Sequence, residues 1–271
     1  MTQQDQIKLL LHNGSVLTSK TLFENAPVEE AISILEQAKQ LAIELDDKQL
    51  IADALNAIGF AHYVASNNRR EGDPHMIRAY FQEALELRRT LHDERGISES
   101  LFHLGLIAET LGQRDVAHSH YTQALQIARQ HNYQTEASNA LRHLGFLEHR
   151  QGALSQAQQY LTESLHLREQ MGLNPYLPFA HQAVAEIYLA QSDLVSASSH
   201  CQKAIELSRQ LDVKKALIFS LGTAGHICQK KQEKEQARDY FEQAYAVAQA
   251  IDLKYAMQQA FAALQALSNK N

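Results

Sequence analysis

The sequence predicts an all-α solenoid of helix–turn–helix repeats, and three columns of small residues carry this prediction. In each column the same kind of residue returns every 40 positions. The first column consists of Gly105, Gly145, Ala185 and Gly225. The second, 19 residues later, consists of Ala124, Ser164, Ala204 and Ala244. The third consists of Ala117, Ala157, Ala197 and Ala237. A fixed period shared by three columns indicates a repeat architecture.

Each 40-residue unit predicts two helices. In the unit that begins near residue 97, apolar residues recur with helical spacing, a turn residue follows at Gly112, and a second amphipathic segment contains Ala117 and Tyr121. Two helices joined by a short turn pack antiparallel, and small residues at their crossing let the backbones approach. One pair cannot bury both of its apolar faces, so we expect successive pairs to stack.

In chain order, residues 1–27 predict a degenerate segment with one short helix over residues 3–12 and then a loop. Residues 28–45 predict the second helix of a degenerate repeat, with Ala31, Leu35 and Ala38 in the expected columns. The sequence shows no domain boundary within residues 28–271. Complete repeats are expected over residues 48–91, 97–131, 136–171, 177–211 and 216–250, followed by a capping helix over residues 253–267.

The first complete repeat carries six extra residues, because Gly59 and Ala84 are 25 positions apart instead of 19. The polar stretch of residues 66–73 is the expected place for them, between the two helices. Pro74 then suits the first turn of the second helix, where its missing N–H costs nothing.

These columns resemble the tetratricopeptide repeat (TPR) family. The Leu104–Gly105 pair in the first helix, followed by Ala117, Tyr121 and Ala124 in the second, matches the pattern of that family. The chain departs from it in having no tryptophan and in its longer period, against about 34 residues in the family. HEAT and armadillo repeats therefore stay open as alternatives. The long form is similar to repeats of bacterial signalling regulators, including peptide-pheromone receptors and large ATP-dependent activators.

The resemblance implies a right-handed α–α superhelix whose concave face is lined by the first helix of each repeat. Carried onto this sequence, it predicts a partner-binding face to which every repeat contributes an aromatic residue, with a basic centre at Arg142, His149 and Arg150. The predicted residues are Asn56, Phe60, Tyr63, Phe102, Leu106, Glu109, Asn139, Arg142, Phe146, His149, Arg150, Phe179, Gln182, Glu186, Phe219, His226 and Gln229.

Charge and cysteine content narrow the function. A net charge of -6 gives no basic surface for the phosphates of nucleic acid. Cys201 and Cys228 cannot form a disulfide framework. The three-residue apolar run at residues 9–11 is too short for a signal peptide or a membrane span. We therefore expect a cytoplasmic protein with no membrane partner.

No sequence motif points to catalysis, a metal or a cofactor. The chain lacks a phosphate-binding Gly-rich loop, a G-x-S-x-G elbow and an H-E-x-x-H pair. Among its 14 histidines, His118 and His120 diverge by about 200° on a helix, and no group of three or four ligands is visible. The leading hypothesis is a non-catalytic scaffold that binds a protein or peptide in the concave groove. A peptide-responsive signalling receptor acting through a bound protein is the alternative, an enzyme ranks third, and the oligomeric state is open.

Overall fold

The computed structural model describes residues 2–69, 71–172 and 174–268, and these residues form thirteen helices with no strand between them. The helices are α1 (Gln3–Glu24), α2 (Glu29–Glu44), α3 (Lys48–Arg69), α4 (Pro74–Thr90), α5 (Glu94–Thr110), α6 (Arg114–Gln130), α7 (Gln134–Arg150), α8 (Leu154–Gln170), α9 (Leu177–Ala190), α10 (Leu194–Gln210), α11 (Lys214–Lys230), α12 (Lys234–Ala250) and α13 (Lys254–Ser268). The predicted all-α class is confirmed.

The turns between helices share one backbone geometry. From His92 to Asp252, a residue with φ between 49° and 79° occurs every 20 positions. After α5, Gly112 N–H donates to the Glu109 carbonyl and Gln113 N–H donates to the Ala108 carbonyl, at 2.9 and 2.8 Å. This is the Schellman arrangement, which satisfies carbonyls that the end of a helix leaves without intrahelical donors. Most of these turns reverse the chain within three residues, whereas the connection from α8 to α9 spans residues 171–176 and α9 is correspondingly shorter, so that the 40-residue period of a helix pair is kept.

The crossing of each helix pair combines a small residue with a large one. A Cβ built on Gly105 would lie 2.3 Å from the Tyr121 ring, and one on Gly145 would lie 2.6 Å from Leu161. Tyr121 and Leu161 are almost fully buried, so the glycines are needed to admit them. The α9–α10 pair has alanine in place of glycine at this crossing: Ala185 lies in one core cluster with Cys201, whose side chain is smaller than that of Tyr121 or Leu161.

By contact clustering the chain forms two compact units. Unit 1 comprises Met1–Leu22 and Ala26–Ala140, and unit 2 comprises Phe23–Asn25 and Leu141–Asn271. The boundary falls within α7, where the repeat columns continue without interruption. The sequence pattern therefore contains no sign of it.

Two local predictions were wrong. The N-terminal helix does not end near residue 12: α1 has 22 residues, and its buried face includes Ile7 and Gly14, with Gly14 packed against Leu35 of α2. The extra residues of the first complete repeat do not all lie between helices, because α3 runs to Arg69 and is also 22 residues long. Both helices are longer than predicted because their polar residues lie on a solvated helix face, and such residues resemble a loop in sequence. Pro74 does begin α4, after Asp73, whose side chain accepts a hydrogen bond from His75 N–H.

Candidate partner-binding site

The 17 residues predicted for the partner-binding face all lie on the first helices of their pairs: α3, α5, α7, α9 and α11. They divide between the two units. Unit 1 holds Asn56, Phe60, Tyr63, Phe102, Leu106, Glu109 and Asn139. Unit 2 holds Arg142, Phe146, His149, Arg150, Phe179, Gln182, Glu186, Phe219, His226 and Gln229.

Four of these residues are buried and therefore offer little surface to a partner: Asn56, Phe102, Leu106 and Gln182. Asn56 contacts the His103 ring, with Oδ1 3.0 Å from Nδ1, and Gln182 donates to the Thr223 hydroxyl at 3.2 Å. Both bonds join neighbouring first helices, so these positions face the next repeat. The prediction that these four residues are exposed to a partner was wrong. For the other thirteen, the binding role stays a prediction.

In unit 1 the predicted aromatic residues surround His103. The Phe60 ring stacks on the His103 ring with centroids 5.0 Å apart and on Tyr63 at 6.3 Å. The Phe81 ring of α4 also stacks on the His103 ring, with centroids 4.8 Å apart. Phe60 and Tyr63 remain partly exposed, while His103 is buried. The unit 1 group is thus chiefly a packing arrangement between α3, α4 and α5, with Phe60 and Tyr63 at its edge.

Glu109 is also engaged within unit 1. Its carboxylate accepts a hydrogen bond from the Tyr121 hydroxyl at 2.6 Å. The bond fixes the end of the buried Tyr121 ring, which leaves this carboxylate less available to a ligand.

In unit 2 four of the predicted residues form a continuous and partly exposed group: Arg142, Phe146, Phe179 and Phe219. The guanidinium carbon of Arg142 lies 4.6 Å from the centre of the Phe146 ring and 6.0 Å from that of Phe179. The Phe179 and Phe219 rings are 6.4 Å apart. Tyr176 adjoins this group through Phe23, which contacts both Tyr176 and Phe179. We call Arg142, Phe146, Tyr176, Phe179 and Phe219 the aromatic surface of unit 2.

Charged groups beneath this surface have shifted pKa values. Burial, aided by the positive charge of Arg142, lowers the pKa of Arg168 to about 10, so the guanidinium still carries its charge near neutral pH. Burial raises the pKa of Glu186, and the Gln182 amide and the charge of Arg142 oppose that rise. The surface therefore combines flat aromatic rings with concentrated positive charge and one desolvated carboxyl group.

The other predicted residues of unit 2 lie outside the aromatic surface. Burial lowers the pKa of His149, and the charge of Arg150, an exposed residue, acts in the same direction. His226 is exposed and its Nδ1 lies 2.9 Å from the Gln229 carboxamide oxygen.

Three residues at or next to the aromatic surface were not predicted from the sequence: Phe23, Arg168 and Tyr176. Arg168 lies on α8, a second helix of its pair, with its guanidinium carbon 4.6 Å from the centre of the Tyr176 ring. Tyr176 lies in the connection before α9, and Phe23 is near the end of α1, in a region expected to be loop. Arg168 carried a usable signal, because the same column holds Ala128, Ser208 and Ala248, although Arg88 occupies it in the first complete repeat.

Chemistry outside this surface is limited. Burial raises the pKa of the Cys201 thiol to about 12. His181 and His200 approach with their Nδ1 atoms 3.2 Å apart. Across residues 2–69, 71–172 and 174–268, no group of three or more histidine, cysteine or acidic side chains is placed to hold a metal ion. In the same ranges, no helix has the length and apolar character needed to cross a bilayer.

The helix pairs, their small-residue crossings and the face of first helices define a TPR-type repeat protein. The sequence model of the MalT-like TPR region matches residues 63–270. The chain belongs to this family, which confirms the predicted relationship and removes the HEAT and armadillo alternatives. A comparison with curated protein sequences gives no significant match.

Solved structures with this fold share little sequence with the chain. A Rap protein complexed with competence and sporulation factor has a TM-score of 0.70 at 14% identity, over 100% of this chain and 77% of that one. The Rap conjugation gene regulator of plasmid pLS20, in complex with the Phr* peptide, has a TM-score of 0.67 at 16% identity, over 97% and 76%. BtubC from P. vanneervenii has a TM-score of 0.65 at 15% identity, over 89% and 92%. At these identities the likeness establishes the fold alone.

Proposed function

We propose that this protein is a non-catalytic interaction scaffold that binds a partner peptide or amphipathic helix on the aromatic surface of unit 2. The observation that carries the proposal is the run of partly exposed rings on three first helices, Phe146 on α7, Phe179 on α9 and Phe219 on α11, with Arg142 against the first two. The proposal includes a cytoplasmic location and a protein or peptide as partner. The net charge of -6 favours such a partner over nucleic acid.

Binding energy at protein interfaces comes mainly from a few aromatic and arginine residues. Aromatic rings add apolar area with little loss of conformational freedom, and a guanidinium held over a ring keeps its N–H groups directed at a ligand. The partly buried Glu186 adds an acceptor close to Arg142. Such a surface suits a segment with apolar side chains and a few polar groups that set its register.

The test is affinity capture from native lysate with four full-length proteins: wild type, Arg142→Glu, Phe146→Ala and Arg209→Glu. Arg209 is an exposed residue of α10, so its variant is the matched control for charge reversal. We expect wild type and Arg209→Glu to capture the same partner. Arg142→Glu should capture at least about tenfold less, since truncating or reversing a desolvated charge costs several kcal/mol.

Circular dichroism must show that each variant keeps the helical signal and melting temperature of a folded protein. Capture that is unchanged in folded Arg142→Glu and folded Phe146→Ala would refute a binding role for the aromatic surface.

A second candidate is a receptor that responds to a small peptide and acts through a bound protein. It is favoured by two Rap structures that share the fold, one in complex with competence and sporulation factor and one in complex with the Phr* peptide. A receptor should show a melting temperature that rises with a specific peptide and partner capture that changes with it. A constitutive scaffold should capture its partner equally with and without every peptide tested.

A further inference from the structure

Three residues from the N-terminal part of the chain pack with unit 2: Phe23, Glu24 and Asn25. The Phe23 ring meets Tyr176 edge-on, with centroids 5.2 Å apart and planes at 74°. It also contacts Phe179 at 6.2 Å with planes at 32°. Phe23 thus lies against two of the rings to which the proposed function assigns partner binding.

Asn25 supplies a polar contact to the same unit. Its side-chain N–H groups donate to the backbone carbonyls of Ile251 at 2.9 Å and Asp252 at 3.3 Å. These carbonyls belong to the turn that follows α12, where the end of a helix leaves carbonyls without intrahelical donors. Asn25 has a φ of 62°, a conformation that asparagine tolerates better than most residues.

The contact has the form of a bound peptide ligand. An aromatic ring inserts between aromatic side chains, and a carboxamide two residues later fixes the register through backbone carbonyls. The intervening Glu24 is exposed. The rings of Phe179 and Phe219 continue past Phe23 and stay partly exposed, so a longer ligand could extend over them.

We propose that unit 2 recognises peptides with an aromatic residue followed two positions later by asparagine, and that Phe23–Asn25 occupies this site until such a peptide displaces it. The inference rests on the proposed function and names its ligand class. A competitor within the same chain has a high effective concentration, so a free peptide meets a site that is already filled. Removing the internal segment should therefore raise the affinity for the same sequence added in trans.

The probe is a fluorescently labelled synthetic peptide of residues 20–27, KTLFENAP, titrated against full-length protein and followed by fluorescence anisotropy. The test protein carries Phe23→Ala and Asn25→Gly; glycine accepts the positive φ and removes the donor. The matched control is Phe261→Ala, which removes an exposed phenylalanine of α13 in the same unit. A second peptide replaces the phenylalanine and asparagine by alanine.

We expect the double variant to bind KTLFENAP about tenfold or more tightly than wild type, and Phe261→Ala to bind like wild type; losing an aromatic contact and a hydrogen bond together is worth about that factor. The alanine peptide should not bind, and adding Phe179→Ala to the double variant should abolish binding of KTLFENAP. If the double variant does not fold, Asn25→Gly alone is compared with wild type; it loses only the hydrogen bonds of Asn25 and keeps the Phe23 contacts, so we expect it to bind KTLFENAP more tightly than wild type but less tightly than a variant lacking both contacts.

The inference is overturned if the folded variant shows no saturable binding, if wild type binds equally well, or if the alanine peptide binds as tightly. That failure is distinct from failure of the scaffold hypothesis. Partner capture that depends on Arg142 would survive a negative peptide titration, whereas a positive titration without any Arg142-dependent capture would reject the scaffold and keep the peptide site.

Discussion

Gly222 and Gly225 lie three residues apart on α11. Replacing each with alanine changes helix propensity equally, so comparing the two variants isolates the effect of steric crowding at Gly225. A Cβ at Gly225 would lie 2.4, 2.7 and 2.7 Å from three ring atoms of Phe241, whereas one at Gly222 would have no neighbour within 4 Å. Phe241 is 1% exposed, so its ring has nowhere to move without displacing other core residues. Alanine is favoured over glycine in a helix by about 1 kcal/mol, and that gain is common to both sites.

Gly222→Ala should therefore raise the free energy of unfolding by about 0.5–1 kcal/mol. Gly225→Ala brings an overpacking cost of about 1–3 kcal/mol or more, which outweighs the gain, and we expect a net loss of ~1–2 kcal/mol. The assay is urea denaturation followed by the helical circular dichroism signal, with midpoints compared at equal slope. A Gly225→Ala midpoint at or above that of wild type would refute the packing argument.

The same crossing offers a rescue, because the α9–α10 pair combines Ala185 with Cys201 in place of glycine with an aromatic ring. Phe241→Cys alone opens a cavity and should cost about 3 kcal/mol. Combined with Gly225→Ala, the added methyl group enters part of that space. We expect the double variant to lose clearly less than the sum of the two single changes, which a double-mutant cycle measures; simple additivity would mean that the two side chains do not meet.

Two further predictions concern buried charges. His181 is 7% exposed, and burial together with the charge of His200 lowers its pKa from 6.5 to about 4. Because the unfolded state then binds the proton more tightly, the free energy of unfolding should be highest above pH 6.5 and fall by up to about 3 kcal/mol as the pH drops towards 4. The fall should be smaller in His181→Gln, and identical pH profiles of the two proteins would contradict this. Arg88 is 3% exposed and donates to Asp53 and Glu99 at 3.1 and 3.0 Å. Arg88→Met should lower the free energy of unfolding by about 2–3 kcal/mol in urea denaturation, because both carboxylates lose a buried cation. A urea midpoint within error of wild type would show that these ion pairs do not stabilise the fold.

The fold could be predicted from the sequence because the crossing of each helix pair requires small residues at fixed positions, and those positions are visible as columns. The turns were only partly visible. Gly112 and Gly152 indicate a positive φ, and Asn132 tolerates one better than most residues, but Ser192 and Gln232 adopt one too and carry no such signal. The turn at Gln232 has the same capping bonds as the turn at Gly112, from Gln232 N–H to the Gln229 carbonyl and from Glu233 N–H to the Cys228 carbonyl, so the positive φ belongs to the helix end and not to the residue type.

The candidate site was harder to predict for a different reason. One sequence indicates which helix face a residue occupies, but not how closely the next repeat covers it. Hence Phe102 and Gln182 were assigned to a surface and are buried. Phe23 contacts residues more than 150 positions away in the chain, and no local pattern encodes a contact at that separation.

In a repeat protein, the residue type that most repeats share at one position indicates what packing requires there. A repeat with a different residue at that position is therefore a candidate for a specialised role. Arg168 occupies a column that holds Ala128, Ser208 and Ala248 in three other repeats and Arg88 in the first complete repeat, and its guanidinium lies over the Tyr176 ring. His181 occupies a column that otherwise holds Leu101, Leu141 and Leu221, and it pairs with His200. Neither substitution improves the burial of apolar area over the residue that the column favours. Each introduces a buried cation or imidazole that only a specific interaction can justify. Arg168 and His181 belong to unit 2, as do the aromatic surface and the segment seated on it. A third exception, the buried Arg88, belongs to unit 1 and donates to Asp53 and Glu99, so departures from the repeat occur in both units, and Arg168 is the one that lies against the aromatic surface.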